Sequence, residues 1–365
     1  MAFYIDWTEK LQSTRLWLED VNAQINDPGN YQKLIGFLNF ISSDINPKVI
    51  QQEMLDNAGM SEYRPVQVRY IPHKGTGNLI TSDASGTCTK VSQRRDLLQT
   101  VQPTLYAEDK FTIEENYVRD NAEGAPGKLQ ARLNREIRDS MRVVRESIDS
   151  QLFAKAATAM GANPAAGVGA GAYKDIEVII QASGKIDDRN FDVIKNEQED
   201  NYMSGPVSII GLGNARRYMN RLAVGNANDA GINYQLVADE FGMLLWKDSH
   251  TTSVLSDSDR TLAIYPGMTQ MFHYNLYRGP DFVQPIGDIA IKGVLPDPII
   301  PGLSYDYQLR YDDNCSTGNG QQGAWIGRVW CYFDLWTIPE GAFGDTYGEL
   351  NDFTGILGYS FSEST

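Results

Sequence analysis

Between Lys128 and Met160 the sequence runs KLQARLNREIRDSMRVVRESIDSQLFAKAATAM, and no other stretch limits so strongly what the chain can fold into. Leu129, Leu133, Ile137, Met141, Val144, Ile148 and Leu152 recur at steps of three or four, which at 100° per residue keeps them on one side of a helix. Arg132, Arg135, Arg138, Arg142 and Arg145 fall on the other side, with Asp139, Glu146 and Asp149 among them. Arg135 and Asp139, Arg142 and Glu146, and Arg145 and Asp149 stand one turn apart, so each pair adds a few tenths of a kcal/mol and keeps that face wet or against another charged surface. Pro126 and Gly127 punctuate the start, and Gly161 and Pro164 the end. At a rise of 1.5 Å per residue the helix is roughly 50 Å long, beyond the ~30 Å width of a small domain. The alternative, one strand of a coiled coil or a helical bundle, fits less well, because the heptad persists nowhere else and the flanks are strand-like. The helix is read as a beam across the seam between a sheet-rich part and a mixed part.

The chain has 365 residues, 42% of them hydrophobic, enough for two or three compact modules. No apolar run reaches the ~18 residues of a membrane helix. The opening, MAFYIDWTEK, lacks the basic-then-apolar layout of a signal peptide, so the expectation is a protein made and kept in the cytosol. Cys88, Cys315 and Cys331 are an odd number without close pairing, which argues against a disulfide framework. A formal charge of −15 repels nucleic-acid phosphate and disfavours a DNA reader, while suiting a container that holds nucleic acid without adhering to it. Nineteen tyrosines and six tryptophans suit extensive contact between proteins.

Before the beam, residues 1–63 read as a helical arm. Leu34, Phe37, Leu38 and Ile41 form its clearest stripe, and Pro47 opens a further helix through Leu55. From Arg64 the period changes to two. Val66, Val68 and Tyr70 alternate with Gln67 and Arg69, a polar Gly-rich span follows to Gly86, and Leu97 to Leu105 lead into Phe111, Ile113 and Val118 across a turn expected at Glu108 and Asp109. Residues 64–120 thus predict a long two-stranded excursion, marginal on its own, that is stabilised elsewhere on its own domain or on another chain.

The beam and a hinge containing Gly167, Gly169 and Gly171 occupy 121–172. Residues 173–300 alternate strands near Ile176–Ile180, Val207–Gly211, Met243–Trp246, Thr261–Tyr265 and Ile289–Val294 with helices at Asp188–Asn201, Ala215–Ala223 and Tyr234–Phe241. That predicts a mixed module, a sheet covered by helices. Two long strands, Tyr305–Tyr311 and Ala324–Ile338, fill 301–340, the second apolar on both faces and so covered on both; 341–365 is read as a tail.

Candidate chemistry is sparse. His73, His250 and His273 lie in three segments with no ligand-spaced partner, and no Gly-x-Ser-x-Gly elbow occurs. No catalytic, metal-binding or cofactor-binding residue is assigned. In IIGLGNAR, residues 209–216, Gly211 and Gly213 match the first two glycines of a dinucleotide fingerprint but Arg216 occupies the third position. A plain strand-to-helix turn is the better account; a dinucleotide-dependent oxidoreductase is the alternative. Lys74, Lys90, Arg94 and Arg95 on the excursion are candidate intersubunit contacts, docking on carboxylates of a neighbouring chain; plain solvation is the alternative for any one of them.

This order of parts resembles the Hong Kong 97-type major capsid proteins of tailed bacteriophages. GKLQARLNREIRDSMRVVRESIDSQLFAKAATAMG looks like their spine helix, GPVSIIGLGNARRYMNRL like the strand and helix of their axial domain, and DSDRTLAIYPGM like a later strand and turn there. The resemblance covers nearly the whole chain as architecture, without a diagnostic short motif. It implies an α+β, Hong Kong 97-like fold with N-terminal arm, extension loop, spine helix and axial domain. The function it implies is that of a non-enzymatic shell protein of the virion, without cofactor, assembled in the host bacterial cytoplasm into pentamers and hexamers. The implied partners are further copies of itself, a portal protein, a separate scaffolding protein, decoration proteins where the shell carries them, and double-stranded DNA held by containment; no membrane is implied. A separate scaffold is expected because the first segment holds no large charged coiled-coil region. Some relatives form a Lys–Asn isopeptide bond from the extension loop; Lys74 and Lys90 lie in that region, but no partner asparagine or catalytic glutamate is assigned, so the bond is not predicted. An encapsulin-like compartment shell is the alternative within the fold, and a tail-tube component a further one.

Overall fold

The structure, a computed structural model, describes residues 33–43, 50–52, 66–70, 97–101, 103–114, 126–161, 169–179, 206–211, 243–265, 267–277, 284–286, 290–312, 316–317, 320–321, 323–338 and 354–363, with isolated positions besides. In chain order the elements are α1 (Gly36–Ile41), β1 (Ile50–Gln52), β2 (Val66–Tyr70), β3 (Leu97–Val101), β4 (Leu105–Glu114), α2 (Pro126–Thr158), β5 (Tyr173–Val178), β6 (Val207–Gly211), β7 (Met243–Lys247) and α3 (Thr251–Leu255). They continue with β8 (Arg260–Ile264), β9 (Thr269–Tyr274), β10 (Gln284–Ile286), β11 (Ala290–Pro296), β12 (Ser304–Asp312), β13 (Ser316–Thr317), β14 (Gly320–Gln321), β15 (Ala324–Thr337) and β16 (Ile356–Glu363). The class is α+β. Among the described residues no helix is long and apolar enough to cross a membrane.

The beam is there. α2 spans 33 residues, and all of Leu129, Leu133, Ile137, Met141, Val144, Ile148 and Leu152 are buried, each worth roughly 1.5–3 kcal/mol of transfer free energy as an upper figure. The stripe widens toward the C-terminal half, where Phe153 and Ala156 are buried too. The end is tied down rather than frayed: Thr354 donates its hydroxyl to the Ala159 carbonyl, and Gly161 N–H donates to the Ile356 carbonyl.

α2 lies on a seven-stranded sheet in the order β1-β9-β15-β12-β11-β10, with β4 also on β15. β15 is its axis, 14 residues long, paired antiparallel with β4, β12 and β9. Ala107, Phe111 and Ile113 of β4, Tyr305, Tyr307 and Leu309 of β12, and Val329, Cys331, Phe333 and Leu335 of β15 all pack in one core with the α2 stripe. Alternation therefore assigns these odd-numbered positions to the helix side of the sheet. Gly327 stands opposite Phe111, and a Cβ there would lie 2.1 Å from the Phe111 ring.

A second sheet runs β5-β16-β8-β6-β7. Its two faces go to different cores. Ile210, Leu262, Ile264 and Ile356 join α1 and α2, while Val207, Ile209, Ala263, Tyr265, Leu357, Tyr359 and Phe361 form a separate core with Ile176, Val178 and Met243.

Several expectations are corrected. The helix expected from Pro47 through Leu55 is interrupted by β1, which adds in parallel to β9; an open sheet edge outweighs a local helix signal. Glu108 and Asp109 are no turn but the middle of β4, because the buried alternation of Ala107, Phe111 and Ile113 holds the strand and both carboxylates find partners, Arg328 and the Ser140 hydroxyl. The tail expected at 341–365 contributes β16, whose Leu357, Tyr359 and Phe361 fill the second core. The mixed module expected to run to residue 300 gives up β9, β10 and β11 to the large sheet, since β11 turns back on β12 through an antiparallel register closed by Asp297 N–H to the Leu303 carbonyl. Of the excursion expected at 64–120, the described residues form the ribbon β2–β3, paired from Val66↔Val101 to Tyr70↔Leu97, and β4, which leaves it to pair with β15 in the large sheet. The strands expected at Val207–Gly211 and Tyr305–Tyr311 stand as β6 and β12, and that at Ala324–Ile338 as β15.

Candidate functional site

The polar residues that the fold brings together lie along α2, where its supposed wet face meets both sheets. Arg145 is 3% exposed and does not pair with Asp149. Its Nε donates to Asp297 Oδ2 at 2.8 Å, and the Tyr305 hydroxyl donates to the same oxygen. Asp297 Oδ1 in turn accepts the backbone N–H groups of Ile299 and Ile300, both at 2.7 Å. Burial works against the Arg145 charge, but Asp297 and Tyr305 outweigh it and hold the guanidinium protonated above its ordinary value; burial pushes the Tyr305 hydroxyl well up. This joint fastens the middle of α2 to the β11–β12 turn. Lys155 to Asp334, with Thr104 donating to the same carboxylate, fastens its far end to β15.

One turn after Arg145, Asp149 is fully buried and faces the other sheet. Its Oδ2 lies 2.8 Å from His250 Nδ1, and its Oδ1 accepts the Leu38 N–H at 2.8 Å. Asp248 accepts the Phe37 N–H at 2.9 Å and the His250 N–H at 2.7 Å, and its Oδ1 is 3.3 Å from His250 Nδ1. The first backbone donors of α1 are thus satisfied by carboxylates from α2 and from the turn between β7 and α3. Phe37 stacks on Phe153 of α2 at 5.8 Å, and Gly36 is required because a Cβ would lie 2.5 Å from the Lys247 carbonyl oxygen. Hydrogen bonds to Asp149 and then Asp248 raise His250 to about 9; burial, aided by Asp248, raises Asp149 to about 7. Both shifts have one sign: His250 and Asp149 hold their protons more tightly folded than unfolded.

From the sequence His250 has no assigned partner; the fold gives it Asp149 and Asp248. Ligand atoms of Asp149, Asp248 and His250 lie within 4.8 Å of one another, but each carboxylate oxygen already accepts from a backbone amide or the imidazole. Their chemistry is that of a joint. Spacing could not reveal a pair 101 residues apart; the available signals were Asp248, two residues before His250, and Phe153, four residues after Asp149 and outside the narrow stripe. His273 is buried alone, lowered to about 4 by desolvation, with Nε2 2.8 Å from the Gly302 carbonyl oxygen. Lys74, Lys90, Arg94, Arg95, His73 and Gly213 lie outside the described residues. Gly211 is described, and a Cβ there would lie 2.5 Å from Thr261 Cγ2 of β8, so the glycine serves sheet packing.

No protein-family model matches the chain, and no curated protein does. Solved structures do resemble it. A chain of Mycobacterium phage Bobi is 10% identical, with a TM-score of 0.44, 93% of this chain and 94% of that one being covered. The capsid of a native GTA particle gives 12% identity and a TM-score of 0.42, over 92% of this chain and 100% of that one. The mature capsid of bacteriophage PhiM1 gives 8% and 0.39, over 87% and 93%.

Proposed function

We propose that this chain is the major capsid protein of a tailed double-stranded DNA bacteriophage, with a Hong Kong 97-like fold, self-assembling into pentamers and hexamers of an icosahedral shell. The observation that carries the reading is a 33-residue helix buried against one sheet and joined by ionic contacts to that sheet and to the segment packed on a second. Beside it stands a two-stranded ribbon, β2–β3, that forms a sheet of its own. A two-stranded ribbon is marginal in water unless something else covers it, and in a shell the cover is a neighbouring subunit. The described polar residues support load-bearing contacts between elements rather than a reaction centre. Further copies of itself, a portal, a separate scaffolding protein and the contained genome are the partners of this reading. Lys74, Lys90, Arg94 and Arg95 are its candidate intersubunit contacts.

Electron microscopy of the expressed protein, alone and with a candidate scaffold, tests it. Closed shells of uniform size are expected; a monomer that forms none under either condition overturns the reading, and shells around a cargo enzyme instead of DNA move it to a compartment protein. Shortening Gly75–Gly86 is expected to leave the monomer folded and shell closure impaired.

A further inference from the structure

The direction in which the ribbon β2–β3 leaves the body is decided at the short link that precedes β4. Residues 102–104 form that link, while the longer 53–65 leads in from β1. Pairing within the ribbon is internal, from Val66↔Val101 at the end next to β4 to Tyr70↔Leu97, and neither strand enters the large sheet or the second one. Pro103 breaks the extended run, because it has a fixed φ and no N–H to give a ladder. β4 itself is well secured. All of Leu105–Glu114 pairs with β15. Gln151 of α2 donates to the Tyr106 carbonyl at 3.2 Å, and the Ser140 hydroxyl donates to Asp109 at 2.6 Å.

At the link a side chain takes over from the ladder. Pairing of β4 with β15 stops at Leu105↔Phe333, whereas β15 runs on to Thr337 against β9 on its other edge. Asp334, the next residue of β15, is buried, and its Oδ2 accepts the Thr104 hydroxyl at 3.0 Å. Its Oδ1 accepts the Leu335 N–H at 2.7 Å and the Lys155 ammonium from the last turn of α2. Two donors thus fix one oxygen and leave the other to the root of the ribbon. The acceptor is an anion held by a helix and a strand, so the Thr104 bond is charge-assisted and stronger than a neutral pair. Thr104 is otherwise exposed, and burial of its own side chain does not hold it.

We propose that Asp334 is the positioning residue of the ribbon: by holding Thr104 it sets the direction in which β2–β3 leaves the body, and through Lys155 it ties that direction to the end of α2. Gln151 and Ser140 do not take this role, because they hold β4 at Tyr106 and Asp109, beyond the link. The purpose rests on the self-assembly reading: a projection that grips a neighbour has to leave every copy at one angle.

Spin-label distances on the dispersed chain test this apart from any shell. With Cys88→Ser and Cys315→Ser, and Cys331 left buried, Gln99→Cys with Ser150→Cys reads ribbon to helix. Thr112→Cys with Ser150→Cys is the reference pair within the body. The unaltered link is expected to give one narrow ribbon-to-helix distance. Thr104→Val keeps the shape and removes the hydroxyl; it is expected to add displaced distances whose population rises about tenfold, the worth of one bond to a carboxylate. Thr104→Ser is expected to keep the narrow distance, and the reference pair to stay unchanged throughout. Asp334→Ala is expected to displace the ribbon at least as far, with Thr104→Val adding nothing on top of it. A Thr104→Val chain as narrow as the parent overturns the proposal. So does a Thr104→Ser chain as broad as Thr104→Val, full additivity of Thr104→Val with Asp334→Ala, or a reference pair that broadens with the ribbon. If Asp334→Ala does not fold, Thr104→Val and Thr104→Ser decide alone. The expected distances in a chain that never forms shells uphold the positioning role and overturn only the shell reading.

Discussion

Arg145 and Asp149 leave α2 one turn apart, yet the joints they make differ in kind. The Arg145 joint ties the helix to the large sheet with a guanidinium that stays charged over any ordinary pH, and its carboxylate partner is satisfied on both oxygens. The Asp149 joint ties the helix to α1 and to the turn after β7 through an imidazole, whose charge can be removed. One face of one helix therefore carries a permanent fastening and a titratable one. α1 and one face of the second sheet share the apolar core of α2 and the large sheet; of the polar fastenings across that core, the one at Arg145 keeps its charge and the one at Asp149 depends on a proton.

The sharpest way to break this comparison is Asp297→Ala. It leaves Arg145 buried without its anion and is expected to cost about 3–5 kcal/mol, equally at pH 6 and pH 9.5, in urea unfolding. Arg145→Met with Asp297→Leu is expected to recover most of that loss. A smaller effect is expected from His250→Ala, about 1.5–3 kcal/mol at pH 6, shrinking toward zero by pH 9.5. The sign follows from the raised value: His250 at about 9 when folded, against ~6.5 unfolded, stabilises fully below the unfolded value and loses that contribution as pH rises through 9. Asp149, raised to about 7, adds a loss of the same sign, and so does Asp306 in the large sheet, pushed up to about 7 by burial. The quantity to compare is therefore variant minus parent; a His250→Ala penalty that does not change with pH would refute the titratable joint. Gly327→Ala probes the permanent side without charge: its methyl meets the Phe111 ring, and a loss of about 1–3 kcal/mol independent of pH is expected. Smallest is Arg132→Ala, which removes an exposed pair with Glu136 and is expected to shift stability by no more than about 0.5 kcal/mol.

What was legible in the sequence was whatever repeats locally. The seven-residue stripe of α2 needed only its own spacing, and β6, β12 and β15 needed only their apolar alternation. The sequence misled where distant pairing decided the outcome. Glu108 and Asp109 look like turn residues until Arg328 and Ser140 arrive from far along the chain, and β1 is a strand only because β9 offers an edge. The joints were hidden for the same reason, and more thoroughly: the charge pattern of α2 supplied a complete local pairing of Arg145 with Asp149. Burial overrode it, because two buried charges a turn apart each found a partner held in fixed geometry by another element.

The register also sets a timetable for the chain. Tyr173 pairs with Gly358, and Leu105 with Phe333, so each sheet closes only when residues separated by nearly half the polypeptide or more have met. Chains with such distant pairings acquire their native form slowly and expose unsealed strands meanwhile. A subunit of this kind is vulnerable chiefly in its youth, and conditions that shelter the newborn polypeptide will govern its yield more than those that protect the finished one.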